Sequence, residues 1–200
     1  MQLLPRTFYL SNDPVPLARA LLGKVLVSDV GGVRTSGRIV ETEAYRAPDD
    51  RASHAYCNRR TARTAVFYEA GGLAYVYRCY GMHCLFNIVT GAEGIPHAVL
   101  VRAIEPLEGR ETQLTRRKSA RWTPRLADGP GKVAQALGIG MEHYGASLFD
   151  ADGPLGCCDD GYRLDDGQIL ASPRVGIGYA GEDALLPWRF RIAGHPSAGR

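Results

Sequence analysis

Lysine is scarce in this chain: of 24 basic side chains only Lys24, Lys118 and Lys132 are lysines. Arginine supplies the rest, and its planar fork suits bidentate contact with phosphate. Tryptophan is reduced to Trp122 and Trp188, too few to line a carbohydrate groove. No run of about 18 apolar residues exists, which excludes a membrane-spanning helix. Met1–Arg6 lacks a basic stretch followed by an apolar one, so no signal peptide is expected and a cytoplasmic location is. The five cysteines, Cys57, Cys79, Cys84, Cys157 and Cys158, are odd in number and include an adjacent pair. They form neither a disulfide framework nor a zinc-ligand spacing. Buried free thiols are the expectation, with no metal and no cofactor.

What is present is the composition of one folded domain. A hydrophobic content of 45% with 22% charged residues rules out wholesale disorder or a fibrous repeat. A chain of 200 residues buries roughly 70% of its extended surface, so no covalent staple is needed. Without internal repeats or low-complexity linkers, residues 1–200 read as a single domain. The net charge of +3 hides an asymmetry: residues 1–140 hold 19 Lys/Arg and 12 Asp/Glu, residues 141–200 hold 5 and 9. The first part suits a polyanionic partner and the second does not. A solvated basic face explains the same distribution, so charge alone names no partner.

Local patterns order the elements. Asp13 followed by Pro14 opens a helix with Leu17, Ala18, Leu21 and Leu22 on one face, stopped by Gly23. Lys24–Val30 and Val33–Tyr45 read as strands joined by a tight Gly31-Gly32 turn. Leu73–Tyr80 and His83–Val89 are strands hinged at Gly81-Met82, and Ala98–Ile104 is an apolar central strand. Arg110–Arg125 reads as an exposed basic helix. Gly129-Pro-Gly-Lys132 opens a shorter one through Leu137, whose N-terminus beside Lys132 can receive a phosphate. Asp150–Asp166 reads as loops and a hairpin, and Gln168–Gly178 and Trp188–Ile192 as the last strands. Antiparallel strands with few helices give an α+β fold around one sheet.

Two segments carry candidate chemistry. In Arg38-Ile-Val-Glu41-Thr-Glu43-Ala-Tyr45, strand alternation puts Ile39, Glu41, Glu43 and Tyr45 on one face. A charged face meeting solvent is the ordinary reading of such a pattern. The next stretch, however, adds His54, Arg59, Arg60, Thr61 and Arg63. A carboxylate, an aromatic ring and an imidazole together suit a flat heterocycle. In Tyr75-Val-Tyr77-Arg-Cys-Tyr80-Gly81-Met82, Tyr75 and Tyr77 share a face and Tyr80 stands at a hairpin apex. An exposed apex aromatic suits insertion into a base stack. Asn87 needs a hydrogen-bond partner if buried.

ETEAY at 41–45, ASHA at 52–55, YVY…YGM at 75–82, Asn87, VRAIEPLEG at 101–109, GPGKVAQALGI at 129–139 and RVGIGYAGE at 174–182 occur in an order that resembles the alkyladenine (3-methyladenine) DNA glycosylase family. The resemblance runs from about Leu17 to the C-terminus. It implies a mixed, mostly antiparallel curved sheet with flanking helices and a protruding, DNA-inserting β-hairpin. It implies a monomeric, monofunctional base-excision repair enzyme acting on duplex DNA that contains alkylated or deaminated purines, associated with the nucleoid if bacterial. Glu43 resembles the general base that activates water, and Arg102 the arginine that helps hold that water and a phosphate. Tyr45, His54 and Tyr77 resemble the walls of the flipped-base pocket, and Asn87 the residue that disfavours guanine's exocyclic amine. Tyr80 resembles the intercalating residue. Arg59, Thr61, Arg63, Met82 and Lys132 are expected at the DNA. The departures are Cys57-Asn58 in the pocket-edge loop, Phe67 where a DNA-contacting methionine is usual, and Arg78-Cys79 in place of aliphatics. None of the three lysines lies in the pocket segments, so no Schiff-base lyase activity is expected. A non-catalytic nucleic-acid-binding domain, which would not need Glu43, and a carbohydrate hydrolase built on Glu41 and Glu43 are the competing classes.

Overall fold

The computed structural model describes residues 1–199. Among them nine strands join one sheet: β1 (Gln2–Leu3), β2 (Val25–Val30), β3 (Val33–Arg46), β4 (Ala74–Cys79), β5 (His83–Thr90), β6 (His97–Pro106), β7 (Leu155–Asp159), β8 (Ile169–Ser172) and β9 (Arg189–Ile192). Their order is β1-β7-β2-β3-β6-β5-β4, with β9 also on β3 and β8 on β9. Every recorded pairing is antiparallel. Three helices accompany the sheet: α1 (Pro14–Ala20), α2 (Arg110–Arg116) and α3 (Pro130–Leu137).

Local chemistry accounts for the boundaries. The Asp13 carboxylate caps α1 by accepting from the Val15 amide at 3.0 Å, and Pro14 takes the position whose N–H has no partner anyway. Gly31 and Gly32 both adopt positive φ, the geometry a two-residue turn between twisted strands requires. The long β3 is shared along one edge, pairing with β2 up to Arg38 and with β9 from Glu41 to Glu43. Its register against β6 shifts around Val40 and again after Glu41. This irregularity breaks the expected alternation. Ile39 joins Val40 and Ala44 in the core and does not share the face of Glu41.

The two faces of the sheet are packed differently. Leu17 and Ala18 of α1, the Leu21 that follows it, and Val133, Ala134 and Leu137 of α3 bury against Val40, Ala44, Val76, Phe86, Ile88, Val99 and Val101. On the opposite face, Tyr75, Val89 and Ala98 support Ala47, Ala55, Val66 and Phe67 of the long loop between β3 and β4. That second, shallower layer carries the predicted site.

Three expectations are corrected. The basic helix ends at Arg116 instead of running to Arg125: Lys118 turns to positive φ, and Pro124, which lacks an N–H, opens a separate 3-10 turn. Residues 150–166 hold no internal hairpin, because β7 pairs at long range with β1 and β2. The strand expected over 168–178 stops at Ser172, where Pro173 removes a ladder donor and the chain turns to bury Arg174.

Candidate active site

Strand β3 brings Glu41, Glu43 and Tyr45 to the loop-covered face, and both carboxylates are fully buried. The solvated charged face that the pattern ordinarily suggests is therefore not what forms. Each carboxylate is compensated, as burial of charge demands. Glu41 accepts from Arg102 Nε at 2.9 Å, Arg189 Nε at 2.7 Å and the Gly199 amide at 2.6 Å. Burial alone would raise its pKa, but the Arg189 hydrogen bond and the Arg102 charge outweigh it and hold the group below the usual carboxylate range. Glu43 accepts from the Tyr45 hydroxyl at 2.8 Å through Oε2 and from the Val175 amide at 2.8 Å through Oε1. Arg102 Nη1 lies 3.3 Å from Glu43 Oε2. Arg102 thus bridges both carboxylates, and their attraction raises its pKa despite the opposing effect of burial.

Above these charges lies a cavity of about 450 Å³, within the ~300–1,000 Å³ of ordinary small-molecule sites. Its lining includes the predicted Tyr45, His54, Tyr77, Asn87 and Arg102, together with Val175 and Tyr179. Glu43 itself is not part of the lining. It sits one layer behind, and its three partners Tyr45, Arg102 and Val175 all face the cavity. Two other hollows, of about 520 and 570 Å³, contain none of the predicted residues.

The walls are aromatic and internally braced. His54 meets Tyr77 edge-on with centroids 4.7 Å apart, and Tyr75 stacks on Tyr77 at 5.4 Å. His54 Nδ1 lies 2.8 Å from the Tyr75 hydroxyl, which in turn accepts from Arg63 Nε at 3.1 Å. Arg63 Nη2 lies 3.3 Å from His54 Nε2, so the imidazole is held between a hydroxyl and a guanidinium and stays neutral. Neutrality is enforced: burial, then the charges of Arg63 and Arg59, push the His54 pKa down to about 4. Burial raises the pKa of Tyr75 to about 12 and pushes Tyr45 well above its ordinary value, so both phenols remain donors. Behind Tyr45, the guanidinium of Arg174 lies 4.8 Å from the ring centroid and grips Asp50 through both Nη atoms. Asn87 is buried and donates from Nδ2 to the Tyr75 carbonyl at 3.2 Å.

The residues expected at DNA are distributed around the mouth. Tyr80 and Met82 at the β4–β5 tip are 89% and 77% exposed, and Tyr80 is held at positive φ. Arg59 and Thr61 are exposed on the covering loop, and Thr61 bonds the buried Thr64 hydroxyl. Lys132, in the first turn of α3, pairs with Asp128 at 2.6 Å. Arg63 departs from the rest. Its guanidinium lies 4.7 Å over the Tyr77 ring and lines the cavity. Phe67 is buried against Tyr75 with centroids 4.4 Å apart and does not lie in an exposed loop. Sequence reasoning missed Asp50, Arg174, Val175 and Arg189. They lie more than a hundred residues from their partners or in an unpatterned loop, and only the RVGIGYAGE segment hinted at two of them.

Comparisons with known proteins agree on one family. The family model described as methylpurine-DNA glycosylase (MPG) matches residues 7–196. A Chlamydia felis protein named "Putative 3-methyladenine DNA glycosylase" is 47% identical over 194 residues, covering 95% of this chain and 96% of its own. A relative of the same name from Chlamydia abortus is 48% identical over 194 residues, with 95% and 98% covered. Another from Bacillus cereus is 43% identical over 198 residues, with 96% of each chain covered.

Proposed function

The chain belongs to the methylpurine-DNA glycosylase family and is a DNA glycosylase, a hydrolase of N-glycosyl bonds; from that premise we propose that it extrudes damaged purines into the Tyr45–Tyr77 cavity and hydrolyses them with a water held by Glu43. The observation that carries this reading is the coincidence of a cavity walled by Tyr45, His54 and Tyr77 with a buried, fully compensated Glu43–Arg102 pair directly behind it.

Extruding a nucleotide costs a few kcal/mol, less where pairing is already weak. Stacking on the tyrosine walls returns roughly 1–3 kcal/mol per base. Tyr80, presented on a turn and almost fully exposed, is the group to fill the vacated space in the duplex. Met82 flanks it, and the reading assigns backbone phosphates to the exposed Arg59 and to Lys132, which would exchange its Asp128 partner for one. Asn87, tied to the Tyr75 carbonyl, keeps an amide at the cavity wall that disfavours an additional exocyclic amine.

Bond cleavage leaves positive charge on the sugar, which a carboxylate below it stabilises while taking a proton from the attacking water. A carboxylate offers about four lone-pair sites. Glu43 uses two in hydrogen bonds from Tyr45 and Val175 and pairs its charge with Arg102, which leaves acceptor capacity for a water O–H. Arg102 and the Val175 backbone, both at the cavity wall, complete the cradle. No lysine lines this cavity, and Met1 lies at a different hollow. The product is therefore an abasic site with no covalent enzyme–DNA intermediate.

The test is single-turnover excision of ethenoadenine, hypoxanthine or 7-methylguanine from duplex oligonucleotides by the wild-type protein and by Glu43→Gln. Retained DNA binding with excision reduced by orders of magnitude is expected. Unchanged excision in the variant would remove Glu43 from the mechanism. Binding without excision of any lesion by the wild type would leave the non-catalytic alternative.

A further inference from the structure

Nearly every charge around the cavity is neutralised. Glu41 and Glu43 face Arg102 and Arg189, Arg174 is gripped by Asp50, and Lys132 is held by Asp128. Among the described residues, two cavity-lining cations remain without a carboxylate within 4.0 Å, Arg63 and Arg78. Both are exposed, and of the two Arg63 alone stacks on a pocket ring. Arg63 stands against the wall itself. Its guanidinium carbon lies 4.7 Å from the Tyr77 centroid, its Nε donates to the Tyr75 hydroxyl at 3.1 Å, and its Nη2 is 3.3 Å from His54 Nε2.

We propose that Arg63 is a specificity-determining residue that makes the pocket favour neutral damaged purines over purines made cationic by ring alkylation. The inference rests on the glycosylase reading above and adds the charge class of the substrate. Two effects act in the same direction. A ring face attracts cations through its negative quadrupole, and Tyr77 already spends that attraction on a guanidinium. A second positive charge placed against the same wall is then repelled, most strongly once the inserted base displaces water from between the two charges. A neutral ring meets neither penalty and stacks normally on the same tyrosines. Arg63 contacts the pocket rings and not Glu43, so it acts on the base and leaves the attacking water alone.

Cationic purines also leave more readily, so each lesion is compared with itself across variants. The experiment is single-turnover excision of hypoxanthine and of 7-methylguanine from the same duplex sequence, at slightly acidic pH where the latter carries its full charge. Wild type, Arg63→Gln and Arg63→Lys are compared, with folding checked by thermal denaturation. Arg63→Gln is expected to raise the 7-methylguanine-to-hypoxanthine rate ratio about tenfold, and Arg63→Lys to keep it within about threefold of wild type. A ratio unchanged in Arg63→Gln, with both rates lowered alike, overturns the inference and makes Arg63 a structural brace. An equal shift in both variants also overturns it, since shape and not charge would then be responsible. Failure of the wild type to excise either base removes the glycosylase mechanism and this inference together.

Discussion

Replacing Asp50 with Asn is the sharpest test of how the site is braced. Both side chains of the Asp50–Arg174 pair are completely shielded from solvent. Asp50 is also the acceptor for the Arg46 amide at 3.2 Å and the Ala52 amide at 3.0 Å. It therefore ties the covering loop, through Arg174, to the back of Tyr45 and to the carbonyl of Ala44. Asparagine keeps the shape but removes the charge and turns one acceptor into a donor aimed at other donors. Breaking a buried ion pair from one side costs about 3–5 kcal/mol, because the remaining charge stays buried without compensation. For a domain of this size about 2–4 °C accompanies each kcal/mol, so a fall in Tm of roughly 6–20 °C follows. Calorimetry or circular dichroism reads it directly, and urea unfolding gives the free energy independently. Arg174→Met with Asp50→Asn completes a double-mutant cycle, and the double variant is expected to fall short of the summed single effects by about 1–3 kcal/mol. Loss of less than ~1 kcal/mol in Asp50→Asn, or strict additivity in the cycle, would show that the pair does not hold the wall and would refute the reasoning.

Tyr80→Ala removes the exposed apex ring while touching nothing in the core, so Tm is expected to stay within about 1 °C. Single-turnover excision from duplex should fall by at least tenfold, more than excision from a single strand; equal losses on both would argue against a wedge. His54 is held neutral when folded, with a pKa pushed down to about 4, whereas the unfolded chain titrates near 6.5. Below the unfolded value the unfolded state binds more protons, so the stability this imidazole contributes is present above about pH 6.5 and is lost as pH falls towards 4. Chemical denaturation across that window should show a steeper loss in wild type than in His54→Gln, and parallel curves would contradict the assignment. Arg59, exposed on the loop and proposed to meet a phosphate, should lower the slope of log affinity against log salt by about 0.9 when changed to Gln. An unchanged slope would take it off the DNA face.

How much of this was legible beforehand can be argued residue by residue. The α1 cap at Asp13-Pro14 and the Gly31-Gly32 turn depend on conformational preferences within a few residues, and both formed as read. The strands from β2 to β5 follow from runs of strand-forming residues punctuated by glycine, and β6 from its continuous apolar run. The motifs around Tyr45, His54, Tyr77 and Asn87 identified a set that the structure gathers in one cavity. Boundaries failed where local preference met a competing constraint. Pro173 ended a strand that its hydrophobicity would have continued, and Lys118 turned away from a helix its charge pattern allowed. The burial of Phe67 against Tyr75 was not legible, because a loop's residues do not disclose which of them turn inward.

The amino-acid order alone determined which side chains were available and, through the alternation along β4 and from Glu43 to Tyr45 of β3, which of them shared a face. It could not determine that Glu41 and Glu43 would be buried, since the same pattern serves a solvated strand equally well. That outcome depended on arginines at 102, 174 and 189 arriving from strands and loops distant in sequence to neutralise them and their neighbours. It depended as well on the Val175 and Gly199 amides supplying hydrogen bonds that no side-chain identity encodes. Charge compensation in a low-dielectric interior is a property of three-dimensional proximity. For that reason the chemistry of the site became readable only once the chain was folded.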